Sequence, residues 1–103
     1  MSTIGFVSFP TRQDAKETIA RLLEKRLIAC AQIVPEIESA YRWKGRIETN
    51  NETLVLLKTN PTKINDVISE IQKHHSYELP VIEFINVDHS TPAVQQWIND
   101  ETK

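Results

Sequence analysis

The segment from Ile37 to Thr59, with the sequence IESAYRWKGRIETNNETLVLLKT, decides the fold of this chain. A two-residue period runs from Ile37 to Trp43, in which Ile37, Ser39, Tyr41 and Trp43 alternate with residues that include the charged Glu38 and Arg42. This period predicts a strand. Lys44-Gly45 then predicts a tight turn, and residues 46–59 predict a long return strand whose apolar part is 54–57. The segment therefore predicts a long antiparallel hairpin with a polar tip.

A strand and a helix are predicted ahead of this hairpin. The β-favouring run from Thr3 to Phe9 is typical of a central strand that is covered on both faces. Thr11, with Asp14 three residues later, resembles a capping box and opens an amphipathic helix of about four turns that reaches Leu27. The pattern then becomes extended up to the hairpin, and Pro35 predicts a bulge within it.

A helix, a strand and a second helix are predicted after the hairpin. Asn60-Pro61 places a capping residue before a proline at the first helical position, and this helix ends at His74-His75. Pro80 starts a last strand over residues 81–87. Thr91-Pro92 repeats the cap-and-proline signal ahead of a short terminal helix.

The order of elements predicts a single α+β domain over residues 1–103. It reads βαββαβ with an extra C-terminal helix, which is the ferredoxin-like arrangement of an antiparallel sheet with helices on one face. The opposite face would then be open to water, and a small chain gains stability by burying such a face against another subunit. We therefore expect an oligomer.

Composition excludes several classes of function. The chain of 103 residues has a formal net charge of -2, so no basic surface favours nucleic acid or an anionic membrane as partner. No apolar run is long enough to cross a membrane, and the N-terminal pattern is unlike a secretory signal, so we expect a cytoplasmic protein. Its one cysteine excludes an internal disulfide, and its two glycines exclude the glycine-rich phosphate loops.

The adjacent pair His74-His75 is the main candidate for a metal site, because histidine is the commonest protein ligand for metals. Neighbours in a helix point about 100° apart, so the two rings share an ion only if the helix unwinds between them. Two imidazoles alone make a weak site, and a firm one needs further ligands. The candidates are Cys30, Glu78, Asp88, His89 and donors from another subunit. The alternative is a helix end with two solvated histidines.

Four motifs in order resemble the CutA family of divalent-cation tolerance proteins. They are Leu27–Ile33 followed by Pro35, Tyr41–Gly45, Leu56–Thr59 and His74–Pro80. The resemblance covers nearly the whole chain. It implies a compact homotrimer of ferredoxin-like subunits, similar to the PII signalling proteins, with edge strands that pair between subunits. It also implies clefts at the subunit interfaces and a link to copper or another divalent cation.

The resemblance also implies roles for particular residues. Cys30 matches the cysteine after the first helix, Lys58 the lysine that closes the third strand, and Tyr77 and Glu78 belong to the last motif. These four are the expected ligand-binding or cofactor-binding residues of a cleft. His74 and His75 match the two adjacent histidines of copper-binding bacterial members.

This chain departs from the family pattern at three positions. Copper-binding members have a cysteine near the end of the first strand, where this chain has Val7-Ser8 and so lacks a soft thiolate. Ser76 stands where proline is common, and Val81 where glutamate is common. Glu83 lies two residues after Val81, on the same side of an ideal strand.

Several of these residues also have simpler interpretations. Cys30 is either a small buried hydrophobe or a thiol activated by a cationic neighbour such as Lys58 or a histidine. Lys58 either binds an anionic group or pairs with Glu78. Tyr41 and Trp43 are predicted to be packing residues, between subunits if the hairpin lies there.

Two functional hypotheses remain from different classes. The first is a metal-responsive or ligand-sensing binding protein without catalysis, and we favour it. The second is an enzyme of unknown reaction that uses His75, Glu78 and Lys58 in the intersubunit cleft. An RNA-recognition domain, a two-cysteine copper chaperone and an acylphosphatase-like enzyme all lack their required residues in this sequence.

Overall fold

The computed structural model describes residues 2–103, so Met1, the first residue of the predicted domain, lies outside the described residues. The elements in chain order are β1 (Thr3–Phe9), α1 (Arg12–Glu24), β2 (Cys30–Trp43), β3 (Arg46–Thr59), a short 3-10 turn (Pro61–Lys63), α2 (Ile64–His74), β4 (Ile82–Asn86) and α3 (Pro92–Glu101). The four strands form one antiparallel sheet in the order β2-β3-β1-β4. The predicted ferredoxin-like α+β fold with a C-terminal helix is confirmed.

The core lies between the sheet and the helices α1 and α2. Along β1 the buried residues alternate with half-buried ones, so one face of the strand is covered. The buried residues that form one cluster are Val7, Phe9, Ala15, Leu22, Ile28, Val55, Leu57, Val67 and Ile71. The cluster includes residues of both helices, so these helices share one face of the sheet. The strand order confirms that β1 is central, but only one of its faces is covered within residues 2–103, whereas the sequence predicted cover on both.

Helix α1 begins as predicted and ends earlier than predicted. The Thr11 hydroxyl accepts a hydrogen bond from the backbone N–H of Asp14 at 3.1 Å, which caps the first turn. The helix ends at Glu24 because Arg26 adopts a left-handed conformation (φ 58°) that turns the chain. Leu27 therefore lies outside the helix, although it packs against the same core cluster.

The hairpin has the predicted turn and bulge. Lys44 (φ 50°) and Gly45 (φ 80°) are both left-handed, as the tight turn of a two-residue hairpin requires. The pairing of β2 with β3 shifts between Val34 and Ile37, next to Pro35. Because β1 pairs with β3 only over Thr53–Thr59, the rest of the hairpin extends beyond β1.

The face of the sheet away from the helices is largely apolar, and residues 2–103 provide no cover for it. Residues that lie opposite each other in antiparallel strands share a face, so the register places six apolar side chains together. We call the surface formed by Ile4, Phe6, Val34, Leu54, Leu56 and Ile85 the open face. Its inner members are half-buried, while Val34 and Ile85 are 38% and 55% exposed.

Helix α3 packs at the end of the sheet. The Thr91 hydroxyl caps it through the N–H of Val94, and the buried Ile98 anchors it. The Arg26 guanidinium donates to the backbone carbonyls of Asp100 (2.7 Å) and Lys103 (3.0 Å), which satisfies the C-terminal end of the helix. No helix within residues 2–103 is long and apolar enough to cross a membrane.

Candidate functional site

The residues that the sequence predicts for a cleft fall into two groups, one at the C-terminal end of β3 and one near its middle. Cys30 and Lys58 lie directly opposite each other in the β2-β3 pairing. Tyr77 instead donates a hydrogen bond to Glu52. Glu52 precedes Lys58 by six residues, so the two lie about 20 Å apart along the strand. One chain therefore does not bring Cys30 and Lys58 together with the last motif.

His75 is held by its surroundings through both ring nitrogens. It follows the last residue of α2, and its extended backbone (ψ 138°) takes the chain out of the helix. Its Nδ1 accepts the backbone N–H of Tyr77 at 3.0 Å, so Nε2 carries the proton and donates to the carbonyl of Ser8 at 2.8 Å. The ring also stacks on Phe9, with 4.7 Å between the ring centroids. His75 thus anchors the segment after α2 to the end of β1.

His74 points to a different partner. Its Nε2 lies 3.2 Å from a carboxylate oxygen of Glu70, which is only 4% exposed. Lys25 of the α1 C-terminus donates to the same carboxylate, and this hydrogen bond is the main reason that the pKa of Glu70 is lowered. Arg21 of α1 lies 3.8 Å from it. His74 therefore belongs to an ion cluster that joins α1 to α2.

The two histidine rings do not form a metal centre within one chain. The helix does end between them, as sharing an ion requires, but their nitrogens are directed to Glu70 and to Ser8. In the part of the chain from 2 to 103, no group of three or more His, Cys, Asp or Glu side chains could hold a metal ion. The donors of a single chain thus do not fit a firm zinc or copper site. Metal binding by His74 and His75 stays a prediction.

Glu52 is a functional candidate that the sequence reasoning missed. It is 8% exposed, and its Oε2 accepts the hydroxyls of Tyr77 (2.5 Å) and Ser8 (3.2 Å). Burial raises the pKa of Glu52, but the hydroxyls of Ser39, Tyr77 and Ser8 outweigh burial and bring the pKa below its ordinary value. Burial and the neighbouring Glu52 raise the pKa of Tyr77. A carboxylate is therefore fixed in its charged form next to a neutral phenol.

A cleft lies between the hairpin and the segment 75–81. It has a volume of about 490 Å³, and its walls include Ser39, Tyr41, Trp43, Glu52, Tyr77 and Glu78. Of the predicted ligand-binding residues, Tyr77 and Glu78 line this cleft, and Cys30 and Lys58 do not. The predicted pairing of Glu78 with Lys58 is absent among the described residues, because Glu78 lies 3.6 Å from the ammonium of Lys44 instead.

Cys30 has the properties of a structural thiol. It is half-buried, and burial raises its pKa more than the charge of Lys58 lowers it. The thiol is therefore protonated at neutral pH and is not activated as a nucleophile. This geometry favours the interpretation of Cys30 as a small buried hydrophobe.

The anchoring role of His75 gives a first prediction. We expect His75→Ala to lower the free energy of unfolding by about 2–4 kcal/mol, because it removes two hydrogen bonds and the contact with Phe9. Urea denaturation at a fixed protein concentration measures this loss. His89→Ala, in an exposed loop, is the matched control and should change stability by less than about 0.5 kcal/mol. Equal stability of the two variants would show that the anchor is unimportant.

Comparison with known proteins connects the fold and the cleft with one family. The sequence model described as "CutA1 divalent ion tolerance protein" matches residues 3–101. The divalent-cation tolerance protein CutA of Archaeoglobus fulgidus is 36% identical over 102 residues, which cover 99% of this chain and 98% of that relative. Protein CutA of Mus musculus is 33% identical over 99 residues, which cover 96% of this chain and 56% of that protein.

Solved structures agree with the sequence relatives. The structure described as the periplasmic divalent cation tolerance protein CutA of Archaeoglobus fulgidus has a TM-score of 0.97 at 32% identity, with all of both chains covered. The divalent cation tolerance protein of Thermus thermophilus has a TM-score of 0.96 at 27% identity, again over all of both chains. The present chain spans 55–64% of the length of several animal and plant relatives. None of these proteins has a name that describes a reaction.

Proposed function

Because the chain belongs to the CutA1 family of divalent ion tolerance proteins, we propose that it works in divalent-cation tolerance as a homotrimeric binding protein. The observation that carries this proposal is the open face, six apolar side chains from all four strands that the chain's own helices leave uncovered. Soluble monomers rarely expose a large continuous apolar surface, so a second copy is the natural cover. Three copies is the number that the family resemblance implies.

Assembly would also join the two groups of polar residues. Lys58 and Cys30 lie at one end of the open face, and Glu52 and Tyr77 lie at the other. When copies pack through this face, one end of the face in one copy can approach the other end in the next. We therefore propose that the complete binding cleft lies between subunits and includes Cys30, Lys58, Tyr77 and Glu78.

The proposed cation is copper or another divalent ion, and it binds weakly through His74 and His75. His74 is the accessible member of the pair, because its side chain is 46% exposed, and a metal ion would have to displace its contact with the buried Glu70. His75 would have to give up both ring hydrogen bonds. A site built on this pair also needs donors from another copy, since residues 2–103 of one chain supply too few.

Titration of the purified protein with Cu(II), Zn(II) and Ni(II) tests this proposal. We expect His74→Ala combined with His75→Ala to weaken binding by about tenfold or more, as loss of ligands does at metal sites. His74→Ala alone should account for most of the loss and leaves the His75 anchor in place. Gln72→Ala, at an exposed position of the same helix, is the control and should bind as the parent does. A double variant that binds as many ions as tightly would exclude the histidine pair as a metal site.

A further inference from the structure

We infer that the cleft between the hairpin and the segment 75–81 binds a small organic ammonium ion, which Glu52 receives and aromatic side chains surround. The inference deepens the proposed function and rests on it only for the premise that this cleft binds a ligand. The walls of the cleft come from one chain, so neither a metal ion nor a second copy is needed for the binding chemistry.

The carboxylate of Glu52 has a charge and a fixed orientation that suit a cationic ligand. Its Oε2 accepts hydrogen bonds from Ser8 and Tyr77, the Ser39 hydroxyl also interacts with the carboxylate, and these contacts fix the orientation of the group. Glu52 lies on the wall of the cleft, where a ligand can reach its carboxylate. A charged acceptor that is held rigidly at a cleft forms stronger hydrogen bonds with a cationic donor than a mobile surface carboxylate does.

The walls of the cleft are aromatic. Tyr41 and Trp43 share one face of β2, and Tyr77 approaches from the segment after α2. Aromatic faces attract ammonium groups through the negative charge of the ring face. The chain's own Lys44 provides an example at the rim, since its ammonium lies 5.6 Å from the Trp43 ring centroid and 3.6 Å from Glu78.

The same features argue against other ligand classes. A bare divalent ion requires several protein donors, and no group of three such donors exists within residues 2–103. An anion would meet the charged form of Glu52 on the wall of the cleft. Arg42 also contributes to the wall, but strand alternation directs its side chain away from the face of Tyr41 and Trp43. The volume of about 490 Å³ is in the range of sites for small organic ligands.

Tryptophan fluorescence tests the inference directly. The chain has two tryptophans, so in a Trp97→Phe background the signal comes from Trp43 alone. Titration with n-butylammonium chloride should give a saturable change. Sodium chloride at the same ionic strength should give none, and n-butanol, which lacks the charge, should bind about tenfold more weakly or worse. Saturation by n-butanol at the same concentration would overturn the inference.

Two variants locate the binding. Glu52→Gln keeps the size of the side chain and removes its charge, and it should weaken n-butylammonium binding by about tenfold. Glu24→Gln, an exposed glutamate at the end of α1, away from the cleft and the open face, is the control and should bind as the parent does. Equal binding by Glu52→Gln and the parent would overturn the inference.

A third variant covers the case in which Glu52→Gln does not fold, as judged by circular dichroism. Tyr41→Leu removes one aromatic wall at an exposed position and should weaken binding about threefold. Unchanged binding by Tyr41→Leu would overturn the inference in that case.

The outcomes of these experiments distinguish the ammonium site from the proposed assembly. A trimeric, copper-binding parent without a saturable n-butylammonium signal contradicts only the ammonium site, and a monomer that binds n-butylammonium contradicts only the assembly.

Discussion

Leu56→Glu should convert the assembled protein into monomers that keep their fold. Leu56 lies in the middle of the open face, opposite Phe6 on one side and Gln32 on the other. Within one chain it is only half-buried, so a glutamate there can reach water. In an assembly the same carboxylate would be buried without a partner, which costs several kcal/mol for each copy. Light scattering after size-exclusion chromatography measures the change in mass.

The control for this variant places the same charge on the other side of the molecule. Leu23→Glu lies on α1 and is 42% exposed, so it adds a comparable charge to an apolar surface position outside the open face. We expect it to leave the mass unchanged. Circular dichroism should show the same secondary structure for both variants. If Leu56→Glu had the mass of the parent, the open face would not be the interface.

Gly5→Ala should be the most destabilising small substitution in the sheet. Gly5 lies in β1 between Leu57 of β3 and Phe84 of β4. A β-carbon at this position would lie 2.6 Å from the Phe84 ring and 2.8 Å from a methyl group of Leu57. Because the core has little free space, both side chains must move, and we expect a loss of about 1–3 kcal/mol. Gly5→Val should lose more. Urea denaturation at a fixed protein concentration measures both.

A second substitution tests whether crowding is the cause. In a Phe84→Leu background the ring is replaced by a smaller side chain, so Gly5→Ala should cost less than it does in the parent, and the difference is a coupling energy. Gly45→Ala serves as a comparison, because nothing lies within 4 Å of its added carbon. Its cost of about 1 kcal/mol should come from the left-handed backbone alone. A Gly5→Ala variant as stable as the parent would contradict the close approach.

The elements that local chemistry specifies could be predicted from the sequence. The caps at Thr11 and Thr91 and the turn at Lys44-Gly45 depend on neighbours within a few residues, and all three agree with the structure. The predicted end of α1 is wrong because Leu27 continues the apolar spacing after the helix has stopped at Glu24. The chain turns at Arg26, which has a left-handed conformation. Arginine does not favour that conformation, so the residue type could not be used to predict the turn.

The candidate site was predicted less completely, because long-range register decides it. Tyr77 and Glu78 were found through a motif that is continuous in sequence. Glu52 lies 25 residues before Tyr77, and only the pairing of β3 with its neighbours places the two together. One signal was present: Glu52 falls in phase with Leu54 and Leu56, so an acid occupied an apolar face of the strand. The direction of the His75 ring depends on Ser8, which no local pattern connects with it. The direction of the His74 ring depends on Glu70, which lies four residues earlier on the same helix, so the spacing for that contact was present in the sequence.

The mass of the purified protein in solution is the most direct test of the claim that copies assemble through the open face. At micromolar concentration, sedimentation equilibrium or light scattering should give three times the 11.9 kDa of the single chain. That mass should persist on dilution within the micromolar range. A mass of 11.9 kDa for the folded protein would contradict the homotrimer and, with it, the binding clefts proposed between subunits.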